Sequence, residues 1–435
     1  MHTFKNFKNL AEAKIDLSKP MTLLIGRNGS GKSNVIEGVE LLAELLKGRA
    51  IEEISDVGRG GAFEIRGNLP GCFRQGTDEF AIGFEDKLIF DNKEQLIRYK
   101  ITAQSKPNLH INKQAIVNDK DLLAYLSSSP EGQANAQTNN DALLLTGLIG
   151  GLGLLSSEDK GLNKLGIASL LLTAFAAAEQ NAKRKATPQQ PPADAPALLS
   201  KYVDTHVFDI YPRIIREYNP VGLQTLSKNG SNLSSVLYYL RQQAPDVLER
   251  ILGRIRQLPE EAFSCFEFIT TSDNNDVLFA LKYANGETIS AKLLSDGTLR
   301  ALAILTALET VPEGSRIIVE EIDNGIHASR VNVLMEAIWE ASNRRRLNTL
   351  ITTHNPATLD SLTDEQLDCV VVCHYDKASQ SAKLTPFFEL PDVDVLLQKG
   401  KLGGLVVRNV IEQYLDPGFA QAQQDIASAW LASCQ

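Results

Sequence analysis

"MTLLIGRNGSGKSNVIEGVELL", Met21 to Leu42, is the stretch on which the fold turns. An apolar run meets a glycine-rich loop, and the loop opens a segment with apolar positions three and four apart. That order reads as a buried strand, a tight turn and an amphipathic helix. Inside it, "GRNGSGKS", Gly26 to Ser33, fits G-x-x-x-x-G-K-[ST]. Glycines let the backbone fold its N–H groups around a phosphate, and the helix that follows aims its positive end at the same anion. Gly26, Asn28, Gly29, Ser30, Gly31 and Asn34 are therefore candidate contacts of a nucleotide's phosphates. Lys32 would reach the β- and γ-phosphates, and Ser33 would hold magnesium.

A second stretch, "RIIVEEIDNGIHASR" from Arg316 to Arg330, runs a short apolar strand into Glu320 and Glu321. Paired carboxylates repel when desolvated, so they need a cation, a donor or water. A phosphate-bound magnesium supplies the cation. Glu320 becomes its acidic partner, and Glu321 the residue that orients or deprotonates the attacking water. Apart from the phosphate loop, an ion pair or a solvated strand end would explain the pair as well. "LITTHNPATLD" puts His354 at the end of another apolar strand, and "LLSDGTLRALAIL" puts Ser295 and Gly297 just before a helix as a second anion-binding turn; on their own the first would read as a satisfied polar residue and the second as an unremarkable turn and cap. Three strand ends, at Gly26, Glu321 and His354, thus carry groups suited to a phosphate. Ligands of open α/β sheets bind beyond the carboxyl ends of the strands.

The 435 residues can bury a sizeable core, and 43% hydrophobic with 22% charged residues is ordinary globular composition. A net charge of −9 argues against a protein that coats nucleic acid uniformly but allows a local basic groove. Five scattered cysteines form no disulfide framework, and Cys369 and Cys373 in "CVVVCH" read as part of a buried strand rather than a metal site. "MHTFKNFKNLAEAKIDL" has no signal-peptide core, and "ALLLTGLIGGLGLL", Ala142 to Leu155, is too short to span a bilayer. The expectation is a soluble, cytoplasmic protein that does not touch a membrane.

Strands alternating with helices predict an α/β fold with a largely parallel sheet covered on both faces. Four regions are expected. Residues 1–112 form the first half of a phosphate-binding head, with antiparallel strands at "EFAIGFED", "KLIF" and "LIRYKITAQ". Residues 113–260 form a mostly helical insertion, with linkers "SSSPEGQANAQTNN" and "KRKATPQQPPADAP" bracketing two apolar helical stretches, the second of them "GIASLLLTAFAAA". Residues 261–390 complete the head, and 391–435 are a helical extension. "NRRRL", Asn343 to Leu347, and "KRK", Lys183 to Lys185, read as a solvated helix end and a soluble tether.

Taken in order, the four motifs resemble those of the ABC-type ATPases of the RecF/SMC-like superfamily, and most closely the AAA_21-type ATPases that include OLD-like, PtuA-like and AriA-like proteins. The resemblance covers roughly residues 4–39 and 266–372. It implies an ABC-type head (a mixed sheet with a phosphate-loop core and an antiparallel lobe), ATP and magnesium as ligands, and two heads sandwiching two nucleotides. By that likeness Ser295 and Gly297 act on the partner head's nucleotide, His354 senses the γ-phosphate, and Asp323 and Asn324 lie in a loop touching the partner. The chain departs from the family pattern in carrying Glu320 for the usual aspartate and "LSDGT" for the usual signature. Gln75 is a candidate for the magnesium-contacting glutamine.

No cysteine pair for a zinc hook, no long coiled coil and no room after His354 for a fused nuclease narrow the branch. The leading expectation is an ATP-driven dimerising switch, of two or more copies, controlling a nuclease-like effector encoded nearby, as in anti-phage defence. The alternatives are a RecF-like repair clamp on duplex DNA and an ATP-binding scaffold with little turnover. The tail "ELPDVDVLLQKGKLGGLVVRNVIEQYL" is either a partner-docking surface or packs back on the head.

Overall fold

A computed structural model describes residues 1–47, 49–57, 63–90, 93–106, 110–117, 136–139, 142–145, 201–259, 262–271, 275–416 and 418. At its centre is a six-stranded sheet in the order Thr205–Phe208, Arg316–Val319, Asn348–Thr352, Met21–Ile25, Val370–Asp376 and Ser381–Pro386. The first five strands run parallel and the last is antiparallel. The expected fold class is what the chain adopts, and the alternation along the strands explains it. Met21, Leu23, Ile25, Ile317, Val319, Ile351, Val370 and Val372 face one hydrophobic cluster, whereas Leu24, Ile318, Leu350, Val371 and Cys373 face another. A strand buried on both sides has no polar face, which is why these segments read as continuous apolar runs.

One cluster joins the sheet to the helix Lys32–Leu46, through Val35, Ile36, Val39 and Leu42, and to a seven-stranded antiparallel sheet, through Phe4, Phe7, Ile82, Phe84 and Ile101. The hairpin Glu79–Phe90 and Lys93–Gln104 forms the middle of that second sheet. The other cluster holds the helices Leu233–Gln243, Pro245–Ile255, Asp296–Thr310 and Ala328–Arg344. The tail packs on the same side: Leu396, Leu402, Leu405 and Ile411 are buried in this core. Gly403 fits so closely that an added Cβ would lie 2.2 Å from the Pro356 carbonyl oxygen. Of the two readings of the tail, its described part to residue 416 follows the second.

The helical insertion expected over 113–260 needs correction. Strand His110–Val117 runs across the boundary at 112, and Ala142–Leu145, in a stretch expected to be helical, pairs with it as a strand. Thr205–Phe208 is an edge strand of the central sheet, and the helices Leu233–Gln243 and Pro245–Ile255 after it belong to the head's own core. Four-residue apolar runs carry too little periodicity to be told from helix. The stretch 166–178, the linker around Lys183–Lys185 and the chain beyond 418 lie outside the described residues.

Candidate functional site

Strand Asn348–Thr352 lies between Arg316–Val319 and Met21–Ile25, all three parallel. Their carboxyl ends therefore emerge side by side, placing Glu320 and Glu321, His354 and Gly26 at one edge of the sheet. The three strand ends predicted to converge do so.

The phosphate loop is built on glycines that cannot be replaced cheaply. Gly26 has φ +148°, and a Cβ there would sit 2.0 Å from the Cys373 carbonyl oxygen. Gly31, at φ +119°, presses against Asn9 and Ala382. The helix begins at Lys32 with Gly31 at its N-cap and no side-chain cap, so its first N–H groups are left for an anion. Asn28 and Gly29 are exposed at the rim, whereas Ser30 is buried with a hydroxyl that has no partner. The Lys32 ammonium donates to the carbonyl oxygens of Gly26 at 2.6 Å and Arg27 at 3.1 Å. Burial lowers its pKa, opposed by Cys373 and Glu321. Ser33 is half-buried on the helix's first turn. Asn34 is already engaged, donating to Asn9 at 2.6 Å and accepting from Arg66 at 3.3 Å, so its side chain buttresses the loop.

At the next strand end the Glu320 carboxyl is pushed up to about 7, chiefly by burial and then by the neighbouring Asp209, with Lys228 and Arg66 opposing. Its backbone N–H donates to the Phe208 carbonyl at 3.3 Å, fixing it to the adjacent strand. A desolvated carboxylate beside another acid is a group for which a cation would be favourable. Together with the unpartnered Ser30 hydroxyl, this donor set fits a magnesium–triphosphate. Glu321 sits at φ +46°, a conformation unusual for a side chain with a Cβ. Its amide donates to the Thr352 hydroxyl at 2.9 Å, and its carboxylate accepts from Asn324 at 3.2 Å. His354 Nε2 lies 3.9 Å from Glu321 Oε1. Burial and then Lys32 lower the imidazole pKa, while Glu321 and Asp323 pull it upward.

Asp323 departs from its expected place in a loop touching a partner. It is buried and accepts hydrogen bonds from the hydroxyls of Thr353 and Thr358. It thus ties the Glu321 loop to the segment carrying His354, and Asn324 alone of the two is exposed. Ser295 caps the helix Asp296–Thr310 by accepting from the Thr298 N–H at 3.1 Å. Gly297 packs against the loop after Glu321, with Gly325 O at 2.8 Å from a Cβ placed there. No hydrogen bond among the described residues joins Ser295 or Gly297 to the phosphate loop. Gln75 is exposed in the turn before Gly76. Asn9, Thr352 and Asp209 are site residues that sequence reasoning missed. Thr352 is visible in "ITTH" as a hydroxyl at a strand end, while Asn9 and Asp209 carry no local signal.

The family described as an AAA domain, putative AbiEii toxin, Type IV TA system matches residues 170–360. A second family, described as an AAA ATPase domain, matches residues 3–190. Each match covers less than half of the chain, and together they support an ABC-type ATPase of the RecF/SMC-like kind. Among curated relatives, this chain is 44% identical over 55 residues to the DNA replication and repair protein RecF of Gloeobacter violaceus, 13% of this chain and 15% of that protein. It is 26% identical over 121 residues to RecF of Cutibacterium acnes, 28% of this chain and 27% of that one. The chain therefore spans only about 15% to 27% of these relatives' length. An SMC head domain from Thermotoga maritima is similar at TM-score 0.40 and 11% identity, over 88% of this chain and 97% of that one. Among the described residues no helix is long and apolar enough to cross a membrane.

Proposed function

We propose that this chain is an ATP-hydrolysing head whose nucleotide-dependent pairing with a second copy acts as a switch on a partner effector, in defence against phage. The observation that carries the reading is the convergence of Lys32, Glu320, Glu321 and His354 at the ends of three adjacent parallel strands. Lys32 would exchange the loop carbonyls it now holds for phosphate oxygens. Glu321, kept in place by Thr352, would accept a proton from the attacking water, and His354 would hold the γ-phosphate. Magnesium, bound by Ser33 and Glu320, would screen the charge of the transferring phosphoryl group. Ser295 and Gly297, which make no hydrogen bond to the phosphate loop among the described residues, suit a site completed by a second copy. The description of the matching family as a putative AbiEii toxin of a type IV TA system supports action together with a second component.

A RecF-like clamp on duplex DNA is the second reading, favoured by the local identity to RecF proteins. One set of measurements separates the two. The switch reading expects ATP turnover lost in Lys32→Ala and Glu321→Gln, a particle whose mass rises with ATP, and a nuclease-like neighbouring gene. Salt-sensitive duplex binding that strengthens with ATP would favour the clamp instead. Absence of turnover in the wild type would remove the hydrolytic part of both and leave a nucleotide-binding scaffold.

A further inference from the structure

The last described residue, Gly418, lines an open cleft of about 1040 Å³ on the outer side of the phosphate loop. One wall is the loop from Arg27 to Ser30, a second the end of the strand Val370–Asp376 as far as Ala378, and the third the helix Val410–Leu415. The walls are fixed: Cys373 Sγ donates to the Ser30 carbonyl at 3.4 Å, and Ile411 anchors the helix in the core. The described lining stops at Ser30 and takes in neither Lys32 nor Ser33, so the cleft is not where phosphates would sit. Gly418 is tied to the helix end by its N–H, which donates to Asp416 Oδ1 at 3.0 Å. Consecutive Cα atoms are about 3.8 Å apart, so residue 419 starts at the cleft.

From there the chain reads "FAQAQQDIASAWLASCQ", Phe419 to Gln435. Phe419, Ala422, Ile426 and Trp430 recur at three- and four-residue spacing, while Gln421, Gln424, Asp425 and Ser428 fall on the opposite face. That is the pattern of an amphipathic helix, about 25 Å long. A helix of this length is marginal in water by itself and depends on burying its apolar stripe. We infer that residues 419–435 dock in this cleft, with Ile426 and Trp430 against Tyr375, and brace the phosphate loop from outside. Tyr375 is 50% exposed, an aromatic side chain in the lining. An apolar stripe laid in a groove is a recurrent mode of helix recognition. Charge favours this occupant over an anion: Asp376, Glu412 and Asp416 outnumber Arg27 and Lys377 along the lining, and the segment's one charged side chain is Asp425. Lys32 is held by the carbonyls of Gly26 and Arg27, so a segment pressing on Arg27 to Ser30 bears on the group that would meet the phosphates. The inference needs no turnover and stands apart from the proposed switch.

The test uses the full chain carrying Trp339→Phe, which leaves Trp430 as its one tryptophan. Trp339 is partly buried against the core, and phenylalanine keeps most of that packing. Trp430 emission should lie to the blue of that from the free peptide 419–435 and resist quenching by iodide. Adding Tyr375→Asp on the exposed wall should shift the emission to the red, restore quenching to the peptide's level and speed hydrogen exchange at the amides of Arg27 to Ser30. Ile426→Asp, a change confined to the segment, should do the same. The same charge at Ile269, exposed and outside the cleft, should change none of these. Emission and quenching equal to the free peptide's in the Trp339→Phe chain overturn the inference, as does a shielded Trp430 indifferent to Tyr375→Asp. Shielding lost on dilution seats the segment on a second copy, and release by ADP makes the nucleotide the occupant; either result overturns it. Release of Trp430 with unchanged exchange at the loop overturns the bracing.

Discussion

The backbone N–H of Glu321 donates to the Thr352 side chain across neighbouring strand ends, at 2.9 Å. The next N–H, of Ile322, donates to the Thr352 carbonyl at 3.1 Å. Two bonds from one residue hold Glu321 at φ +46°, which few side chains would adopt unaided. Thr352→Val keeps the shape but leaves the half-buried Glu321 N–H unpaired. Turnover should fall about 10-fold or more while ATP affinity stays within about threefold, and Thr352→Ser should restore it. Steady-state ATPase assays beside equilibrium ATP binding measure both.

Two glycines of the phosphate loop should respond differently to the same substitution. At Gly26 a methyl group would meet the Cys373 carbonyl at 2.0 Å, whereas at Gly29, φ +80°, nothing lies within 4 Å. Gly26→Ala should abolish nucleotide binding and cost at least about 2 kcal/mol of stability. Gly29→Ala should cost only about 1 kcal/mol, the penalty of a left-handed backbone alone. Denaturant unfolding distinguishes them, and similar losses at both positions would contradict the assigned packing.

Burial raises the Glu320 carboxyl, so its ionised form is destabilising until a cation arrives. Glu320→Gln removes the charge. The ligand-free protein should melt higher, by up to about 3 kcal/mol in stability at pH 8, and magnesium-dependent ATP turnover should be lost. Calorimetry without ligand reads the first effect, and a lower melting temperature would count against it.

A second buried cluster predicts pH dependence remote from the site. His2 is fully enclosed, with Nε2 3.2 Å from Arg316 Nη1 and its ring 5.1 Å from that of Tyr202. Burial first, and then Arg316, hold its pKa well below 6.5. Below pH 6.5 the unfolded chain takes up a proton that the folded imidazole refuses, so stability falls as pH drops. The slope from this residue is at most about 1.4 kcal/mol per pH unit. His2→Gln should flatten it, as measured by urea midpoints between pH 7 and 5.5.

The candidate site's edge was legible because each part is local: a glycine loop between strand and helix, and polar groups closing apolar runs at Glu320 and His354. Sequence separation hid the rest. Asn9 supports Gly31 and Asn34 from a turn with no motif of its own. Thr205–Phe208 gives only four residues to a strand whose identity lies in its pairing with Arg316–Val319. Asp323 looked like a surface loop residue because the two threonines that bury it come about thirty residues later.

The strand Met21–Ile25 is central in the sheet, yet both its neighbours, Asn348–Thr352 and Val370–Asp376, come more than 300 residues later. During synthesis this apolar segment must wait, with both edges open, until residues 348 to 376 have left the ribosome. Such delayed pairing slows folding and leaves a sticky ribbon exposed to other nascent chains. Production of the protein should therefore depend on chaperones that shield the early segment, and a truncation ending before residue 348 should aggregate rather than accumulate as a soluble half.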